Sequence, residues 1–306
     1  MNVHEWALVT FTILAQMSVG AFLVLGVLHW FAVRKAGLEQ ADRLADYALL
    51  AIGPVLLLGM GASTLHLGTP NTAYRAVANL GSSWLSREIL CGTLFAVAGA
   101  VFAFLQWRKL ATSTVRIAVA LVAAAFGVAL VYSMGRVYLL RTVPVWNTVF
   151  TPVMFFVTTF LLGSMAIGAA FVATYRYLQR RDPGGVEVQS VLVRGALRWI
   201  AIVSLFLLGI EFVAIPMRSL YLAHGAAPEA QAAAMLVGPF GVLSVLRLAL
   251  VFAGAGLLGV FIYQNASSAH GERVMGTLAY VAFVLVLIGE VLGRFLFYAT
   301  YARVGV

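Results

Sequence analysis

Residues Ser63–Glu88 read S-T-L-H-L-G-T-P-N-T-A-Y-R-A-V-A-N-L-G-S-S-W-L-S-R-E. They form a polar connection between two apolar runs, Tyr47–Leu67 and Ile89–Trp107, neither of which holds an Asp, Glu, Lys or Arg. Each run is near the roughly 20 residues that a helix needs to cross a bilayer core. Neither alternates polar and apolar positions, so helices are implied rather than barrel strands. Gly68 and Pro70 are expected to stop the first helix, and Gly81 lies shortly before the second. His66 closes the first run; Arg87 and Glu88 open the second. The stretch therefore sets the architecture and places three chemically active side chains at one membrane edge.

Working outward, six more apolar runs can be drawn, giving spans at Trp6–Val33, Tyr47–Leu67, Ile89–Trp107, Ile117–Gly135, about 149–175, Trp199–Met217, Pro239–Tyr263 and Val274–Tyr298. The expected fold is all-α, a polytopic membrane protein of eight transmembrane helices. A single membrane domain over 1–306 divides into two four-helix halves, about 6–135 and about 149–298, joined by a loop Arg176–Arg198. The sequence is 62% hydrophobic and only 10% charged, well outside the range of soluble domains. Pro239 suits the first turn of a helix, and Pro54 and Pro216 lie within spans that they could kink. Ala226–Ala234 reads as an apolar part of the loop between the sixth and seventh spans.

The net charge of +9 does not point to nucleic acid, because the basic residues sit in short loops where they set orientation. Twelve of the 20 Lys and Arg residues fall on the side of loops 1–2, 3–4, 5–6 and 7–8. That side is expected to be cytoplasmic, with both termini outside. The start, M-N-V-H-E-W, has no basic residue before its apolar run, so the first helix is expected to be retained rather than cleaved. The lone cysteine, Cys91, excludes a disulfide framework, a zinc site or an iron–sulfur ligand set within this chain. The six tryptophans fall near span ends, as an interfacial belt would.

On this topology the intramembrane charges share the outer half. His66 and Glu88 edge one loop without an evident partner. Arg136 ends the fourth span, Glu211 and Arg247 lie inside the sixth and seventh, and Glu290 and Arg294 stand one turn apart near the end of the eighth. Charges at such depth cost several kcal/mol unless paired or hydrated, and they commonly mark a pathway or ligand site. The i, i+4 spacing of Glu290 and Arg294 suits an internal ion pair, and Glu211 with Arg247 suits a second. For His66 and Glu88 a functional role is the better reading. A histidine and a carboxylate at a span end can take protons from a quinol, while long apolar helices hold its tail. His29 is expected to be an interfacial histidine at the cytoplasmic end of the first span.

Six short segments resemble the membrane anchor subunits of dimethyl sulfoxide reductases, the DmsC type. They are H-E-W (His4–Trp6), H-L-G-T-P (His66–Pro70), S-R-E-I (Ser86–Ile89), R-V-Y (Arg136–Tyr138), T-V-P-V-W (Thr142–Trp146) and G-E-V-L-G-R-F-L-F-Y (Gly289–Tyr298). The resemblance covers nearly the whole sequence and is poorest from about 176 to 238. It implies an eight-helix anchor in a bacterial inner membrane, without haem or metal, that binds menaquinol. Its partners would be an iron–sulfur electron-transfer subunit and a molybdopterin catalytic subunit in anaerobic respiration. The family's quinol-site histidine and glutamate fall on His66 and Glu88. The matched motifs add Arg87, Arg136, Tyr138, Glu290 and Arg294 as residues expected to contact the quinol. Competing readings are the anchor of a molybdopterin oxidoreductase with another acceptor, a di-haem cytochrome and a secondary transporter. The histidines do not face one another within spans as haem ligation requires, and the sequence shows no convincing internal repeat of the transporter kind.

Overall fold

The computed structural model describes residues 3–64, 79–181, 186–257, 259–260, 264 and 272–302. Among them every regular element is helical. The order is α1 Val3–Ala36, α2 Leu38–Thr64, α3 Trp84–Trp107, α4 Ser113–Val137, α5 Phe150–Arg181, α6 Val186–Ala223, α7 Ala227–Val237, α8 Gly241–Val251 and α9 Glu272–Ala299. From Phe252 to Leu257, α8 continues as a wider π-helical turn. Seven of the helices are long and apolar enough to cross a membrane. An eighth crossing is made if α7 and α8, bent by 68° at their break, count as one span.

Local chemistry accounts for several boundaries. Gly37 takes φ +83°, the left-handed conformation that lets α1 reverse into α2 after a single residue. Ser83 caps α3 by accepting a hydrogen bond from the Ser86 amide at 3.2 Å, and Thr112 caps α4 by accepting from Val115. Pro228 sits in the first turn of α7, where no intrahelical donor is lost.

Three expectations are corrected. The loop drawn over Arg176–Arg198 is mostly helix: α5 runs to Arg181 and α6 starts at Val186. Its polar residues are good helix formers and mark where the helices leave the bilayer. There Gln189 donates to Gln40 at the start of α2. The span drawn over Pro239–Tyr263 begins at Gly241, and Pro239 occupies the bend before it. The stretch Ala226–Ala234, expected as loop, is the body of α7.

Helices α1 and α5 form the centre. Their apolar segments are the most enclosed of the spans, and they cross at Gly20 and Gly163. A Cβ on Gly20 would overlap the Thr159 carbonyl, and one on Gly163 would overlap the Gly20 backbone. With no hydrophobic drive between helices inside lipid, such close backbone approach supplies the packing. Helix α2 packs on α1, α3 on α4, and α6 and α9 on α5. At the end of the bundle where α1 meets α2, Lys109 bonds both Asp42 (2.7 Å) and Asp46 (2.8 Å). His29 contacts Asp42 at 2.8 Å and Gln106 donates to Asp46. His29 is therefore more than an interfacial residue, because its ring completes this cluster. Lys109 itself adopts φ +52°, a strained backbone held by its two carboxylate partners.

Candidate functional site

At the opposite end of the bundle, α3 turns one stripe inward: Glu88, Gly92 and Phe95 are buried. Glu88 is only 6% exposed although it stands four residues from the start of its helix. His66, its expected companion, lies outside the described residues. Arg87 takes a different course. Its guanidinium donates to the carbonyls of Leu80 and Gly81, both at 2.8 Å, which closes the turn before α3. It also lies 4.3 Å from the centre of the Trp84 ring. Arg136 stands 4.8 Å from that ring, so Trp84 contacts two guanidiniums.

Tyr138, just past α4, joins its hydroxyl to that of Tyr298 on α9 at 2.5 Å. Around the pair, Trp146 stacks on Phe297 with centroids 5.1 Å apart and donates its indole N–H to the Phe297 carbonyl at 2.9 Å. Phe155 closes the other side. Trp146 is buried, so this tryptophan is a core residue and not part of an interfacial belt.

The pairing expected for Arg294 is also revised. Its Nη2 donates to Gln16 Oε1 at 2.6 Å, and its guanidinium lies 3.8 Å from the Phe155 ring centre. Gln16, fully buried, in turn donates to the Phe155 carbonyl at 2.8 Å. One amide thus joins α1, α5 and α9. Glu290 pairs elsewhere: Thr158 donates to its Oε2 at 2.6 Å, and Arg247 approaches its Oε1 at 3.8 Å. Arg247 makes its shorter contact, 2.8 Å, with Glu211, as the sequence suggests. A three-helix cluster replaces the i, i+4 pair because Arg247 can reach across where Gly293 leaves α9 bare; a Cβ there would overlap its guanidinium.

The structure thus lines up Glu290, Arg294 and Tyr298 along one stripe of α9, joins Tyr138 to Tyr298, and buries Glu88 at the same end of the bundle. It places Arg87 and Arg136 at the edge, around Trp84. Sequence reading misses Gln16, Tyr298 and Trp146 as parts of this arrangement. For Gln16 a signal exists, an amide at the middle of an otherwise uncharged span.

Comparison with known proteins agrees with this architecture. The profile described as DMSO reductase anchor subunit (DmsC) matches residues 1–300. The C subunit of anaerobic dimethyl sulfoxide reductase from Escherichia coli is 32% identical over 308 residues, covering 99% of this sequence and 96% of its own. The anaerobic dimethyl sulfoxide reductase subunit YnfH, also of E. coli, is 31% identical over 305 residues, again 99% of this sequence and 96% of its own. The C subunit from Haemophilus influenzae is 29% identical over 306 residues, 99% of this sequence and 97% of its own. The protein is a multi-pass membrane protein that belongs to the DMSO reductase anchor subunit (DmsC) family.

Proposed function

We propose that this protein oxidises menaquinol at the end of the bundle bearing Glu88 and passes the electrons to an iron–sulfur subunit docked on that face. A molybdopterin catalytic subunit would then reduce dimethyl sulfoxide or a related acceptor. The observation that carries the reading is a buried carboxyl at a span end, at the same end of the bundle as two joined phenols. Oxidation of a quinol releases two protons and two electrons. Glu88, with His66, takes protons from the quinol oxygens. The Tyr138–Tyr298 pair offers a hydroxyl to orient the head group, and Arg294 stands one turn before Tyr298 on α9. Arg87 and Arg136 hold Trp84 as an aromatic wall, and Glu290 forms the inner end of the α9 stripe.

Further support lies below Glu88. An apolar groove of about 350 Å³ runs between α2 and α3, lined by Gly53, Pro54, Leu57, Gly99, Phe104 and Trp107 among others. It begins about 10 Å inward of Glu88, counted at 1.5 Å per residue, and suits an isoprenoid tail.

In the assembled complex, Glu88→Gln is expected to lower quinol-dependent turnover tenfold or more, and His66→Ala similarly. An artificial donor that feeds the partner subunits directly should sustain normal rates. Unchanged quinol turnover in both variants would remove the site from this end of α3. The outer placement of this face rests on the distribution of Lys and Arg. In a Cys91→Ala background, Asn147→Cys should react with an impermeant thiol reagent in spheroplasts, and Ala111→Cys should not. The opposite labelling pattern would invert the orientation and put the partners in the cytoplasm.

A further inference from the structure

A second cavity, of about 420 Å³, opens between α5, α6, α8 and α9, and neither Glu88 nor Tyr138 borders it. Three arginines line it: Arg218 from α6, Arg247 from α8 and Arg294 from α9. Against them stand two carboxylates, Glu290 in the wall and Glu211 behind Arg247. Even with both carboxylates ionised, one positive charge is left over. Both carboxylates contact Arg247, and among the described residues neither bonds Arg218 or Arg294. Among the described residues the Arg218 Nε and Nη2 are buried without a hydrogen-bond partner, and Arg218 faces the Phe297 ring at 5.8 Å. Arg294, 6% exposed, also leaves Nε without a partner among the described residues, as does Arg247. Buried guanidinium donors without acceptors are costly, so the cluster is built for an anion that completes it.

The surroundings specify the anion further. Arg218 lies five residues before the end of α6, Arg247 six residues into α8 and Arg294 five before the end of α9. All three are therefore about 7–9 Å inside one end of the bundle at 1.5 Å per residue, the level of lipid head groups beside helices that outreach the bilayer. The remaining wall is apolar, and its rim carries Val237 and Val245, 81% and 68% exposed. Guanidinium forks match phosphate geometry with paired hydrogen bonds, and basic pockets between membrane helices take lipid phosphates.

We propose that this cavity binds a phosphate group through Arg218, Arg294 and Arg247, with any attached acyl chain leaving past Val237 and Val245. Arg294 and Glu290 border both regions, whereas Arg218 belongs to this cavity alone, so the phosphate site stands whether or not the quinol reading holds.

The purified complex in detergent can be titrated with dioleoylphosphatidylglycerol, zwitterionic dioleoylphosphatidylcholine or inorganic phosphate, with binding read by native mass spectrometry. Phosphatidylglycerol should bind the wild-type protein at least tenfold tighter than phosphatidylcholine. Arg218→Gln should erase that preference. So should Val237→Asp, a surface change that places a negative charge at the rim and keeps the test open if the arginine variant fails to accumulate. Inorganic phosphate binding alone, with the same sensitivity to both variants, would assign the site to free phosphate. Equal binding of the two lipids without phosphate binding, or a lipid preference that survives both variants, would overturn the proposal.

Discussion

Gly163→Leu is expected to yield no monodisperse protein after solubilisation. At this crossing the α1 and α5 backbones touch, and even a Cβ on Gly163 would overlap Gly20. A leucine cannot be absorbed by rotamer adjustment, because the atoms it meets belong to the main chain. The two helices would have to part along their length, which strips packing from the bundle's centre and from Gln16 below it. The cost belongs with the exceptional substitutions, above about 4 kcal/mol. Size-exclusion profiles of a fluorescent fusion give the readout. Gly163→Ala should show partial loss, since a single methyl still overlaps Gly20. A leucine variant that elutes and melts like the wild type would show that the crossing is not what holds α1 against α5.

The second large effect is expected from Arg247→Met. Two carboxylates, 1% and 2% exposed, share this cation. Removing it leaves both in a medium where an uncompensated buried charge is strongly unfavourable, about 3–5 kcal/mol for the loss of one partner of a buried pair. The variant should accumulate poorly and melt well below the wild type. Adding Glu211→Leu should restore part of the loss, because Thr158 still holds Glu290 while the nearer unpaired carboxylate is gone. That non-additivity is the signature of direct contact. Simple addition of the two effects would mean that Arg247 stabilises the fold by some other route.

Much of this molecule is legible in its sequence. Charge-free runs of about 20 residues allow little except helices in a bilayer, and Gly81 falls in the turn before α3 as expected. The intramembrane charges are legible as a group, because their cost makes each conspicuous. Their pairing is not. Spacing of i, i+4 suggests Glu290 with Arg294, but partners are chosen in three dimensions. Arg247 reaches Glu290 over Gly293, while Arg294 finds Gln16, 278 positions away. Helix ends beyond the bilayer are also hidden, since hydropathy falls at Arg176 and Arg198 although helical geometry continues. Trp146 escapes the belt reading because position near a span end does not distinguish a ring facing lipid from one stacked on Phe297.

The bond between Gln16 and Arg294 has a consequence for biogenesis. Gln16 enters the membrane with α1, and Arg294 arrives only with α9. Through most of synthesis the Gln16 carboxamide oxygen lacks this partner, and Tyr138 and Thr158 wait equally for Tyr298 and Glu290. These bonds are therefore a latch, set only when α9 inserts. Until α9 packs, these three positions on α1, past α4 and on α5 lack the partners that α9 supplies, so one insertion step closes all three.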